Sequence, residues 1–261
     1  MNTQHSKKIL HLYWRAGFGI APNKLDQKSK LSIKKAAQQL IEKAQHNTDF
    51  PKIANVPEVA DKMEKVDRMK TKMQLRKMMP DVNAKWVKKM ANTENPLLER
   101  MSLFWHDHFA CRIKNATLVP NYMNAIRNNA LGNFRDLVIG VSKSPAMIRY
   151  LNNQQNRKQR PNENFARELM ELFTIGRGNY TEKDIKEAAR AFTGWSSNLK
   201  GEFVFRQSWH DTGEKKFMSA TGNFDGEDII NLILARKETA KHITTKIYKY
   251  FVNEKIDQNK I

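Results

Sequence analysis

Between Pro161 and Trp195 the chain reads PNENFARELMELFTIGRGNYTEKDIKEAARAFTGW, and several of its polar residues recur at helical spacing. Projected at about 100° per residue, Asn164, Glu168 and Glu171 fall within one narrow sector, with Arg167 beside them. Two carboxylates on adjacent turns repel, so one of them should hold its proton to higher pH unless a cation, Arg167 or a metal, offsets the pair. Such a group suits general acid and base chemistry, or a carboxylate-rich metal site. The same residues also have a purely structural use. Glu163 precedes Arg167, and Arg167 precedes Glu171, at the i, i+4 spacing of ion pairs along a helix, worth only about 0.3 to 0.5 kcal/mol each when exposed.

Imidazoles must come from elsewhere. In the stretch from Asn95 to Phe109, Leu97, Leu98, Met101, Phe104 and Trp105 mark a buried helical face. His108 falls in the middle of that face and His106 nearly opposite, so the two can share a metal only if the helix ends near Trp105. His108 is therefore read as a hydrogen-bonded core histidine, with metal ligand or general base as the functional alternative. Farther on, Phe203 and Phe205 alternate with polar residues, Asp211-Thr212-Gly213 signals a turn and Phe217 follows, which predicts a small hairpin with His210 and Asp211 at its tip. A hairpin folding back over the central segment would bring His210 and Asp211 to the Asn164, Glu168 and Glu171 face, with His108 beneath. The expected catalytic set is thus Glu168, Glu171, His108, His210 and Asp211, with Asn162, Glu163, Asn164, Arg167 and Lys216 as binding residues. Carboxylate and imidazole together suit zinc, iron or manganese. Di-metal bundles carry Glu-x-x-His pairs, however, whereas the spacing here is Glu168-x-x-Glu171, so no metal or cofactor is assigned.

The elements that would position these groups are helical. Asn162 can cap the first helix of the central pair, with Glu163 in its opening turn, and Phe165, Leu169, Leu172 and Phe173 supply its apolar stripe. Gly176 and Gly178 end it. Thr181 with Asp184 then forms a capping box for a second helix, whose stripe is Ile185, Ala188, Ala189, Phe192 and Trp195. Helical periodicity is found in at least six segments and strand alternation in only one, giving an all-α, bundle-like domain with one small β-hairpin between Phe203 and Phe217. From Val59 to Pro80 the sequence is rich in lysine and methionine, and its Val66, Met69 and Met73 stripe is expected to face the core, with a protruding helix or a partner-filling face as the other reading. Asn152 to Arg160, NNQQNRKQR, reads as an exposed polar loop.

These stretches resemble the signature of a bacterial family known as domain of unknown function 1800. The shared pattern runs roughly NENxAREL, ELFxLGxGxYTExD, then an alanine-rich helix ending in TGW. HLYWRAGFG (His11 to Gly19), ERMSLFWHDHF (Glu99 to Phe109), LGNFRDL (Leu131 to Leu137), SPAMIRYLNN (Ser144 to Asn153), FRQSWHDTGEKKF up to Phe217 and KIYKYFV (Lys246 to Val252) are similar in content and order. The likeness is weakest between Thr48 and Glu94, so 48–94 is read as a variable Lys/Met-rich helical segment. The resemblance implies one family domain over 1–261 that would continue past its last helix, so that the protein is expected to be truncated at its C-terminus. It implies no particular reaction. A sulfatase-like protein, often encoded beside family members, is the partner it suggests.

Composition bounds the remaining classes. The chain has 261 residues, a formal charge of +19 and a single cysteine, Cys111, which excludes an internal disulfide and a cysteine-based zinc site. Cys111, beside Ala110, reads as a small buried residue and not a nucleophile. The basic excess is mostly lysine and spread along the sequence, so it reads as solvated surface ahead of a phosphate-clamping or base-reading site, which would favour arginine. No run approaches the roughly 18 apolar residues of a membrane span, and His11 and Arg15 interrupt a signal-peptide core, which makes the cytoplasm the default compartment, with export still open. Phosphate-loop, dinucleotide, zincin and serine-hydrolase motifs are absent from the sequence. The leading expectation is a helical domain of this family, enzyme-like or binding a ligand or metal, built around Glu168 and Glu171. The alternatives are a basic nucleic-acid-binding module and a non-catalytic partner of a sulfatase-like protein.

Overall fold

The computed structural model describes residues 3–46, 49–51, 53–57, 63–198 and 200–257. Three N-terminal helices come first: α1 (Thr3–Arg15), α2 (Pro22–Lys28) and α3 (Ile33–Ala44). Ile9 and Tyr13 on α1 meet Ala36 and Leu40 on α3 in a small core of their own. Ser32 starts α3 as a cap, its hydroxyl accepting from Lys35 N. The basic helices α4 (Lys65–Lys77) and α5 (Met79–Ala91) follow, split by Pro80 in the first turn of the second.

The main core lies under α6 (Pro96–His108), α7 (Val119–Asn129), α8 (Phe134–Lys143), α9 (Pro145–Tyr150), α10 (Asn164–Glu168) and α11 (Glu182–Ala191). Short strands come next: β1 (Trp195–Ser197) pairs antiparallel with β2 (Phe203–Phe205), and β3 (Lys215–Phe217) with β4 (Ala220–Gly222). Helices α12 (Gly226–Leu234) and α13 (Lys237–Phe251) close the order. The architecture is mainly helical, as the periodicity predicts, and the capping box at Thr181 and Asp184 forms in full. A second box, Asp225 with Asp228, opens α12. Among the described residues no helix is long and apolar enough to cross a membrane.

One ion pair sits inside the core. Arg127 on α7 donates to Glu99 on α6 at 2.6 Å, and each residue is 1% exposed. Charges taken this far out of water are tolerated because each neutralises the other.

Four expectations need correction. The Val66, Met69 and Met73 stripe faces solvent, each residue more than half exposed, while Thr71 and Leu75 take the inward positions of α4. The first residues of that Lys/Met-rich stretch, 59–62, lie outside the described residues. The expected hairpin resolves into two, since Phe203 pairs with Ser197 and Phe217 with Ala220, leaving His210 and Asp211 in the connection between sheets and at neither tip. The loop after α9 is not uniformly exposed: Asn153 and Asn156 are buried and donate to the Phe192, Trp195 and Ala189 carbonyls, latching it onto α11 and β1. Finally, α10 runs on as a π-helical turn over Leu169–Phe173, with Gly176 N bonding Met170 O at 2.9 Å and Thr174 Oγ1 bonding Leu169 O at 2.6 Å. The wider turn changes the angular step per residue. Met170 therefore enters the core and Leu172, expected there, is 44% exposed.

Candidate functional site

A cleft of about 700 Å³ opens where α6, the end of α9, the α10 π turn and α13 meet. Its walls are apolar and aromatic, from Phe104, Leu151, Leu172, Phe173, Tyr150 and Tyr250. Into it face Asp107 and His108 from α6, Glu168 from α10, and Lys246 and Lys249 from α13. A few charged groups among apolar walls is the usual make-up of a small-molecule pocket.

The polar groups are held by backbone. The Leu172 and Phe173 carbonyls stand at the end of the π turn, where a helix leaves acceptors without partners inside the helix. Phe173 O accepts from His108 Nε2 at 2.9 Å, and Leu172 O accepts from Lys246 Nζ at 2.9 Å. That fixes the proton of His108 on Nε2 and makes Nδ1 an acceptor, which receives Lys246 Nζ at 3.3 Å. Burial, then the charge of Lys246, hold the imidazole at about 3, against the bond to Phe173 O, so His108 is neutral at ordinary pH. Burial likewise lowers the Lys246 ammonium, against the charge of Asp107. Among the described residues no carboxylate lies within ion-pairing distance of Lys246 Nζ. One turn earlier on α13, His242 is pushed down by burial and by Lys246, and its buried Nε2 has no hydrogen-bond partner.

The Glu168 carboxyl makes no hydrogen bond or ion pair among the described residues. Desolvation and then the charge of Glu171 raise its carboxyl above the ordinary value, against Arg167 and Arg177. The direction is the one expected for two carboxylates on adjacent turns. Glu171 itself turns away to Arg177 and to Tyr180 OH, the latter at 3.2 Å. Arg167 pairs with Glu163 at 3.2 Å but reaches across to Glu182 on α11 at 2.7 Å, where the sequence spacing points to Glu171. The bonds to Glu182 raise its guanidinium further. Asn164 is exposed, and its backbone N–H donates to the side chain of Asn162; the cap position of α10 falls on Glu163, one residue later than expected, and Glu163 makes no side-chain capping bond.

His210, Asp211 and Lys216 have other neighbours. His210 is 7% exposed, donates from Nδ1 to Thr193 O at 2.9 Å and packs edge-on to Phe205. Asp211 grips the Arg190 guanidinium with both oxygens, at 2.8 and 3.2 Å. Burial resists its ionisation, but the bonds from Arg190 and Gly213 outweigh it and keep the carboxyl below the ordinary range. None of the three lines the cleft. Lys216 points outward on β3, and Lys215, fully buried, donates to the Asp211 and Gly213 carbonyls instead. Strand alternation turns one of two adjacent lysines inward, and the sequence reading chose the other.

His106 stays on the far side of α6 against Trp86 and Tyr122, because the helix continues through His108. The H-x-H chelate therefore does not form. Among the described residues no three His, Cys, Asp or Glu residues converge closely enough to hold a metal. A second cleft of about 680 Å³ includes Asn162, with Arg157 and Arg160 at its rim and Trp209 stacked under Arg157 at 3.7 Å.

The main omission of the sequence reading is α13. His242, Lys246, Lys249 and Tyr250 share a face of that helix at i, i+4, i+7 and i+8, next to the Ile243, Ile247 and Phe251 stripe. That adjacency was the available signal.

A search of curated proteins and a search of solved structures each return no match. The family profile described as "Protein of unknown function (DUF1800)" matches residues 11–261. The match covers nearly the whole sequence, Asp107, His108, Glu168 and Lys246 included, and the protein belongs to this family.

Proposed function

We propose that the domain binds a small molecule in the cleft between α6, the α10 π turn and α13, and that the polar groups there act on it or orient it. The observation that carries this reading is the meeting of apolar walls with five charged or titratable groups besides the tyrosines, Asp107, His108, Glu168, Lys246 and Lys249, in one cavity of about 700 Å³. Perturbed titration inside a cleft, as burial imposes on His108, Glu168 and Lys246, marks functional sites more often than chance surfaces. The fitting ligand has an apolar or aromatic body for Phe104, Phe173 and Tyr250 and a polar or anionic head for Lys246 and Lys249.

Anilinonaphthalene sulfonate has both parts and serves as a probe. Its fluorescence should rise on binding the wild-type protein, and Leu172→Trp, which fills the cleft mouth from a half-exposed position, should weaken binding at least tenfold. Equal binding to both proteins, or no binding to either, would remove the reading. The nucleic-acid alternative draws on the charge of +19 and on the Arg157, Trp209 and Arg206 stack. It requires a retarded band with DNA or RNA at low salt that disappears steeply as salt rises. A sulfatase-like partner is tested by co-purification from the native host, where recovery of this protein alone counts against it.

A further inference from the structure

The environment of Lys246 differs from that of a surface lysine. Its amine has two acceptors, Leu172 O at 2.9 Å and His108 Nδ1 at 3.3 Å, and no carboxylate within ion-pairing distance among the described residues. A neutral amine has two hydrogens and one lone pair. These two acceptors take both hydrogens, which leaves the lone pair without a hydrogen bond, and Lys246 lines the cleft. His108 presents Nδ1 as a fixed acceptor because Nε2 is committed to Phe173 O. Glu168, on the α10 side of the same cleft, is a carboxyl without a hydrogen-bond or ion-pair partner among the described residues.

We propose that Lys246 is a nucleophilic amine that forms an imine with an aldehyde or ketone seated in this cleft. The inference rests on the cleft being a ligand site, as argued above. The Lys246 nitrogen attacks the carbonyl carbon, a C–N bond forms, and the carbonyl π pair moves to oxygen. A proton passes from nitrogen to that oxygen, through Asp107 or cleft water, to give the neutral carbinolamine. Glu168 then protonates the hydroxyl, water leaves as the C–O bond breaks, and the nitrogen lone pair closes the C=N bond. The products are an iminium, a water molecule and the Glu168 carboxylate, so atoms and charge balance. Burial favours the uncharged amine needed for attack, as in other lysines that work through Schiff bases. Among the described residues, the charged and titratable groups lining the cleft with Lys246 are Asp107 and His108 from α6, Tyr150 from α9, Glu168 from α10, and Lys249 and Tyr250 from its own helix, with His242 one turn earlier.

The test is reductive trapping of the wild-type protein with benzaldehyde and cyanoborohydride, whose hydride converts the iminium to a stable secondary amine. Peptide mass spectrometry then reads the labelling rate at every lysine. Lys246 should label at least tenfold faster at pH 7.5 than Lys249 on the same helix, and Glu168→Gln should slow Lys246 several-fold while leaving Lys249 unchanged. Labelling of Lys246 no faster than Lys249 would overturn the proposal. The comparison is internal to one folded protein, so it does not depend on a lysine variant folding. If anilinonaphthalene sulfonate binds and Lys246 is not trapped, only the imine is wrong. If neither occurs, the ligand site is wrong as well.

Discussion

Acidifying the protein from pH 7.5 to 5.0 tests the description of His108 directly. The folded protein holds this imidazole neutral down to about 3, whereas the unfolded one protonates it near 6.5. The stability that comes from a neutral native histidine is complete above 6.5 and is lost as pH falls toward 3, because the unfolded state binds the proton first. At pH 5.0 the unfolded side gains RT ln(1 + 10^1.5), about 2 kcal/mol, while at pH 7.5 it gains less than about 0.1 kcal/mol. Since pH 5.0 is still well above 3, this figure depends on the unfolded value and scarcely on how far the folded one is depressed. His108→Gln offers an amide N–H to Phe173 O and does not titrate. Urea unfolding of both proteins at both pH values should give a loss for the wild type that exceeds that of the variant by about 2 kcal/mol. Equal losses would refute the reasoning, as would an imidazole proton resonance assigned to His108 that titrates near 6.5. Lys246→Met adds a second check: it removes the charge that helps to depress His108, so the histidine midpoint should move up.

Glu168→Gln should stabilise the protein at pH 7. The native carboxyl is raised, so stability falls as pH rises from the ordinary carboxyl value through the folded one; the thermal midpoint advantage of the variant should vanish near pH 4. Arg127→Met leaves the Glu99 carboxylate buried and should lower urea-unfolding stability by about 3 to 5 kcal/mol, whereas replacing both partners by apolar residues should recover most of that loss. Gly176 and Gly178 both have φ near +80°, but a Cβ at Gly176 would lie 2.8 Å from His242 Nδ1 and one at Gly178 would meet nothing within 4 Å. Thermal unfolding should therefore show Gly178→Ala costing about 1 to 2 kcal/mol and Gly176→Ala about 1 to 3 kcal/mol more.

Periodicity made the helices legible, and local chemistry made their ends legible. Thr181 with Asp184 and the glycines at 176 and 178 mark boundaries that the fold observes. His108 was placed correctly because a regular α-helix runs through it. The same arithmetic failed after Leu169, where the helix widens, and Leu172 and Met170 exchanged roles. It failed again at Lys215 and Lys216, where a short strand offers too few residues to fix its phase. Two polar groups of the cleft were visible as separate residues, His108 and Glu168. What joined them was long-range: Lys246 lies 138 residues from His108, and no spacing rule connects α13 to α6. Conversely, His210 and Asp211 look reactive in sequence, yet their neighbours satisfy them with Thr193 and Arg190.

The widened turn also governs which changes this protein can absorb. Consecutive carbonyls, Leu172 O and Phe173 O, hold Lys246 and His108, so the anchoring of both side chains depends on backbone geometry and not on which side chains occupy 172 and 173. Substitution at those positions leaves the acceptors in place. A one-residue deletion within Leu169–Phe173 would return the ladder to α spacing and swing the following carbonyls by about 100°, releasing two anchors together. Substitution and change in length are thus unequal hazards here: a new side chain at 172 or 173 reshapes the wall of the cleft and spares its anchors, whereas a change in the count of residues that frames it removes both anchors at once.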